Sequence, residues 1–130
     1  MGQTLEFLAG EGPRLSPTLV DHALASLQAA PERLDPIYAT VTKVRARLGP
    51  ETTLLGFAGS PWTVATYMIA GEGSRDQHEA RALSYRDPAM MDAIIDGITT
   101  LTIEYLAGQI EAGAEAVQLF DSWAGSLAPD

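Results

Sequence analysis

The chain has no cysteine. That excludes disulfide staples, a thiolate nucleophile and any thiolate metal site, although it does not by itself fix a compartment. Positive charge is scarce as well: 8 Lys and Arg stand against 17 Asp and Glu, and the formal net charge of −9 would repel nucleic acid and anionic membranes. Neither is an expected partner. No apolar run reaches the length of a membrane span, and Met1 is not followed by a basic segment and an apolar signal core. A soluble, unprocessed protein is therefore expected. With 2 histidines and no H-E-x-x-H or comparable constellation, no metal site is expected. Asp76, His78 and Glu79 read as a solvated helix face, and the turn Gly71-Glu72-Gly73-Ser74 lacks a Walker lysine and carries an acid that would repel phosphate.

What is present describes a globular domain, with 46% hydrophobic and 19% charged residues. The 130 residues suffice for one core but fall short of the roughly 250 that a complete (β/α)8 barrel needs. Neither an internal repeat nor a low-complexity linker divides the chain, so residues 1–130 read as one domain.

Periodicity places the elements. Thr4 to Leu8 alternates polar and apolar before Gly10 and Gly12-Pro13, a strand running into a turn. Helical spacing follows over residues 17 to 29 and again over 35 to 48, closed by Gly49-Pro50. Thr52 to Ala58 is a near-continuous apolar run, the pattern of a parallel strand covered on both faces. Ser60-Pro61 and Asp87-Pro88 are each a side-chain cap followed by a proline whose missing N–H costs nothing in the first turn. They open helices reaching about Ile69 and Ala112, with a shorter helix from Asp76 to Tyr85 between them. Met91, Ile94, Ile95, Ile98, Leu101 and Tyr105 trace one apolar face of the longer helix, and Gly113 is its left-handed stop. Ala116 to Phe120 reads as the last strand. The fold class is thus α/β: about three parallel strands with long helical crossovers, suiting part of a barrel or a doubly wound sheet.

Ligands of α/β folds gather at the carboxyl ends of strands, which directs attention to Gly10–Pro13, Phe57–Trp62 and Asp121–Gly125 as one rim. Phe57 and Trp62 offer apolar surface, Tyr67 a hydroxyl and Ser122 a short donor, a set suited to a flat ring bearing acidic groups. Each also has a purely structural reading: the first two as packing, Tyr67 as a core-edge tyrosine, Ser122 as a helix cap. A triad of Ser122 and Asp121 with His22 or His78 is disfavoured, because no G-x-S-x-G elbow surrounds the serine.

The run Gly56-Phe57-Ala58-Gly59-Ser60-Pro61-Trp62-Thr63, continued by Ala65-Thr66-Tyr67-Met68-Ile69, closely resembles the pattern G-F-A-G-[SA]-P-W-T-x-x-T-Y-M of the uroporphyrinogen decarboxylase family. Gln118-Leu119-Phe120-Asp121-Ser122-Trp123-Ala124-Gly125 is a second match. Gly10-Glu11-Gly12-Pro13 and Ala107-Gly108-Gln109-Ile110-Glu111-Ala112-Gly113-Ala114 also look like family segments. A smaller departure is Glu72, where the family usually has glycine in a G-G-G-S turn.

The resemblance implies an internal piece of a cytoplasmic, homodimeric (β/α)8 (TIM) barrel enzyme of haem and tetrapyrrole biosynthesis. Such a carboxy-lyase converts uroporphyrinogen III to coproporphyrinogen III without a cofactor. It also implies supporting, substrate-binding roles: Tyr67 contacts substrate and helps orient a catalytic aspartate, Ser122 binds a substrate carboxylate, and Phe57 forms an apolar wall. The family's catalytic aspartate and arginine-rich segment have no counterpart in these residues, so no catalytic residue is expected within the chain. Charge points the same way, because a polycarboxylate needs cations and none lies within Phe57–Tyr67 or Asp121–Gly125; Arg14 and Arg75, the nearest in sequence, read as surface residues. A partial barrel would expose strand edges and helix faces, so a homo-oligomer, or assembly with the remaining segments of the same enzyme, is expected. A non-catalytic interaction fragment is the alternative from another class. The related corrinoid methyltransferase branch, which uses zinc ligands, is a more distant one.

Overall fold

The computed structural model describes residues 3–7, 12–19 and 31–127. Within them a short hairpin pairs β1 (Thr4–Phe7) with β2 (Pro13–Ser16), and a separate two-stranded sheet pairs β3 (Leu55–Gly59) with β4 (Ala116–Phe120) in parallel. Four α-helices accompany them: α1 (Asp35–Arg45), α2 (Pro61–Ala70), α3 (His78–Arg86) and α4 (Pro88–Glu111). The helix expected over residues 17 to 29 falls almost wholly outside the described residues.

The helix starts follow their local chemistry. Ser60, extended at φ −66° and ψ 156°, accepts a hydrogen bond from the Thr63 N–H, and Pro61 occupies the first helical position of α2. The Asp87 carboxylate does the same for α4 by accepting from the Met90 N–H at 3.0 Å. At the other end of α2, Gly71 adopts φ +78°, and a Cβ there would lie 2.9 Å from the Leu15 carbonyl oxygen. Glycine thus ends the helix and lets β2 approach, so that the Leu15 N–H donates to the Gly71 carbonyl at 2.6 Å and the Leu19 N–H to that of Met68 at 3.0 Å.

The core lies among α2, α3 and α4, where Ala65, Ile69, Ile94 and Ile98 are fully buried and Trp62, Met68, Leu83 and Met91 nearly so, with Leu19 closing one side. The expected apolar face of α4 is the face that packs: Met91, Ile94 and Ile98 are buried, and Ile95, Leu101 and Tyr105 are partly covered. At the opposite end of the sheet, the Arg45 guanidinium donates to the Thr52 carbonyl and to the Glu115 carboxylate, each at 2.7 Å. The same Glu115 oxygen accepts from the Leu54 N–H at 3.0 Å, so α1, β3 and β4 are fastened where the strands begin.

Two expectations need correction. The first strand is antiparallel and belongs to a hairpin, leaving two parallel strands among the described residues rather than about three. Its partner β2 alternates Pro13-Arg14-Leu15-Ser16 but is only four residues long and begins with proline, too short a run to mark a strand before its neighbour in space is known. Secondly, the apolar run ending in β3 is not covered on both faces among the described residues. Gly56 and Ala58 turn toward α4 and are buried, whereas Leu55 and Phe57 are 59% and 60% exposed on the other face. Truncating Ile94 to alanine removes a side chain with no solvent exposure. It is expected to lower the unfolding free energy by about 2–5 kcal/mol, read as a fall in urea midpoint at unchanged slope.

Candidate functional site

Both parallel strands release the chain at their carboxyl ends into the two motifs singled out above, and one carboxylate joins them. Asp121 Oδ1 accepts from the Thr63 hydroxyl at 2.7 Å, the Ala124 N–H at 2.9 Å and the Trp123 N–H at 3.1 Å. The Thr63 oxygen in turn accepts from the Ser122 N–H at 3.1 Å, and the Trp62 indole N–H donates to the Trp123 carbonyl at 3.1 Å. The Ser60 N–H reaches the Phe120 carbonyl at 2.7 Å and carries strand pairing one step further. The loop after β4 is thereby pinned to the first turn of α2, and Ser122 is held by its backbone with its side chain at the surface.

Partial desolvation pushes the Asp121 carboxyl up, but hydrogen bonds from Ser60, Thr63, Trp123 and Ala124 outweigh it and hold the group below the ordinary carboxylate range. Asp121 is therefore an anion committed to shaping the loop. A serine triad would need a histidine on this carboxylate, and its hydrogen-bond partners among the described residues include none. His78 lies 3.8 Å from Asp76, both well exposed, and His22 is outside the described residues.

Phe57 and Phe120 stand beside each other on the bare sheet face, their rings edge to face with centroids 6.1 Å apart. Phe57 also borders a cavity of about 370 Å³ with Val64, Ile98, Leu101, Tyr105 and Arg33. Burial holds the Tyr105 hydroxyl above the ordinary tyrosine range, so it remains a neutral donor. Tyr67 lies one helical turn beyond Thr63 and lines a different cavity of about 310 Å³ with Pro13, Arg14, Glu72 and Gly73. A Cβ on Gly73 would come within 3.2 Å of the Tyr67 ring, so the glycine leaves room for it. Arg14 and Glu72 form an ion pair at 3.3 Å in the same cavity. Glu72, the departure from the family turn, is therefore the partner of an arginine.

The structure thus gathers Phe57, Phe120 and Ser122 at one end of the sheet and places Tyr67 in a second cavity that shares no lining residue with the first. Trp62 is buried in the core, in keeping with its packing role. Sequence reasoning named Arg14 but read it as a surface residue, whereas it lines the Tyr67 cavity; it missed Arg33, which a segment distant in sequence brings to the Phe57 cavity.

An α/β arrangement with parallel strands and helical crossovers, and with exposed aromatic and hydroxyl groups at the strand ends, is the class of protein these features define. A solved methyltransferase from Methanosarcina mazei shares the fold with a TM-score of 0.66 at 20% sequence identity, over 93% of this chain and 36% of that one. The profile described as Uroporphyrinogen decarboxylase (URO-D) matches residues 1–130. Proteins named uroporphyrinogen decarboxylase are 74% identical over 129 residues in Novosphingobium aromaticivorans (99% of this chain), 72% over 130 in Erythrobacter litoralis (100%) and 54% over 130 in Paracoccus denitrificans (98%). The chain belongs to the uroporphyrinogen decarboxylase family. It spans 38% of the length of each of those three relatives.

The lowered Asp121 pKa has a defined linkage. Its contribution to stability is fully present above the unfolded carboxyl value and is lost as pH falls through the lower folded value. Carboxyl-carbon NMR is expected to show Asp121 titrating below the ordinary carboxylate range. In Thr63→Val the midpoint moves upward while distant carboxylates stay in place.

Proposed function

We propose that the chain is part of a uroporphyrinogen decarboxylase (β/α)8 barrel and supplies one wall of its porphyrinogen cleft. The observation that carries this reading is the pair of exposed rings, Phe57 and Phe120, beside Ser122 at the carboxyl ends of two parallel strands, in a chain belonging to this family. Apolar ring faces stack well on a flat macrocycle. The Ser122 hydroxyl suits a carboxylate arm, and Tyr67 contributes a hydroxyl from its own cavity, where Arg14 stands close enough to engage an acid in exchange for Glu72. Arg33 adds a cation at the Phe57 cavity.

The reaction is uroporphyrinogen III to coproporphyrinogen III. Protonation of a pyrrole carbon makes the substrate's own ring the electron sink, CO₂ leaves from an acetate arm, the resulting methylene is protonated to a methyl group, and the ring carbon releases its added proton to restore the pyrrole. No cofactor is called for. What the protein must add is orientation and stabilisation of developing charge. Phe57, Tyr67 and Ser122 fit orientation, and Asp121, bound up in the loop, is not available as the proton donor. The acid and the main carboxylate-binding cations are assigned to parts of the enzyme outside these residues, either remaining segments or a second copy in a homodimer, working in the cytoplasm. The bare row of Leu55, Phe57 and Phe120 is the surface such assembly would cover.

Two measurements test this together. The purified chain, alone, is expected to self-associate in light scattering and to show no turnover of uroporphyrinogen III. Exchanged for the matching segment of the Novosphingobium aromaticivorans relative, the same residues are expected to retain turnover, with Ser122→Ala or Tyr67→Phe lowering kcat/KM by about tenfold. Robust turnover by the chain alone would overturn the division of labour. An inert, folded chimera would overturn the functional reading.

A further inference from the structure

Strand β3 has one edge on β4 and one edge without a strand among the described residues. Each residue of a strand turns its own N–H and C=O to one edge, and successive residues alternate between the two edges. Leu54 and Ser60 direct theirs at β4, accepting from the Glu115 N–H at 2.9 Å and donating to the Phe120 carbonyl at 2.7 Å. Phe57, an odd step away from each, turns its N–H and C=O to the open edge, where both need a partner.

Gln109 of α4 provides both. Its Oε1 accepts from the Phe57 N–H at 3.1 Å, and its Nε2 donates to the Phe57 carbonyl at 3.0 Å. The side chain is 3% exposed and reaches its target across Gly56, where a Cβ would stand 2.8 Å from that same Oε1. A primary carboxamide carries the donor and acceptor of a peptide group in one plane, so it can stand in for one residue of a neighbouring strand. The helix end is itself fixed, because the Gln109 carbonyl accepts from the Ala114 N–H at 2.9 Å, and Gly108 lets the Tyr38 ring lie against α4 where a Cβ would collide with it. The segment Ala107–Ala114 resembles the family without having been given a job, and this supplies one.

We infer that Gln109 is a positioning residue for the candidate cleft: its side-chain amide takes the place of a flanking strand at the Phe57 peptide and fixes the level at which the Phe57 ring stands beside Phe120. A glutamate at this position keeps the acceptor and loses the donor. A methionine keeps the volume and loses both. The relevance to porphyrinogen rests on the reading above, but the clamp does not, and it can be measured without any ligand.

The test is residue-resolved amide hydrogen exchange on the whole chain, wild type and variants. In the wild type, the Phe57 amide is expected to exchange at least about tenfold more slowly than those of Leu55 and Gly59, the other two on the open edge. Gln109→Met is expected to abolish that difference while the β4-facing amides of Gly56 and Ala58 keep theirs, and to weaken the contact between the Phe57 and Phe120 rings in nuclear Overhauser spectra. Gln109→Glu is expected to restore protection of the N–H at neutral pH. Equal exchange of all three open-edge amides in the wild type would overturn the inference even if neither variant folds. A uniform loss across β3 in Gln109→Met would also overturn it, by making the residue a general packing element.

Discussion

The parallel pairing of β3 with β4 is the interaction on which both ends of the molecule depend. Two strands cannot satisfy a parallel ladder unless they start level and stay level, and each end has its own fastening. Arg45 and Glu115 set the beginning by joining α1 to both strands. Asp121 and Thr63 set the end by tying the loop after β4 to the helix after β3. Both fastenings use a charged group that meets several partners at once, which gives more rigidity than a solitary exposed ion pair. Between them, α4 serves the sheet and the core together: Met91, Ile94 and Ile98 fill the helical core near its start, and Gln109 reaches the strand near its end.

The arrangement makes chemical sense of the two motifs. In Gly56-Phe57-Ala58-Gly59-Ser60-Pro61-Trp62-Thr63, Gly56 admits Gln109, Phe57 faces outward, Ala58 packs inward, Ser60 caps α2, Trp62 fills the core and Thr63 receives the loop of the second motif. Few positions are left without a task. The conspicuous acid of the second motif, Asp121, works as a structural anion, and the serine beside it, exposed and held by its backbone, is the group we propose for a ligand. A carboxylate with four hydrogen-bond donors around it is a poor proton shuttle and a good loop anchor.

Much of this was legible in the residues because it is local. The cap at Ser60-Pro61, the cap at Asp87-Pro88, the apolar face from Met91 to Tyr105 and the strand Ala116–Phe120 all rest on chemistry within a few residues, and the structure places them as expected. The rest depends on encounters across the chain. Pro13–Ser16 becomes a strand because Thr4–Phe7 lies beside it, and Arg33 and Arg14 become cavity residues through distant neighbours. Burial of a strand face is decided by what lies opposite, so the run ending in Leu54-Leu55-Gly56-Phe57-Ala58 looks covered in the sequence yet is half bare here. Gln109 illustrates the limit best. Fifty-two positions separate it from Phe57, and nothing in helical spacing distinguishes a glutamine that binds a peptide from one that faces water.

The bare row on the sheet sets solubility against use. Leu55, Phe57 and Phe120 are the residues a protein engineer would charge first to keep this chain dispersed, since they are large, apolar and open to solvent. The face that invites precipitation is also the face we propose for a ring or a neighbouring segment. A variant evolved for high yield would drift toward a well-behaved protein that had forgotten how to be part of anything larger.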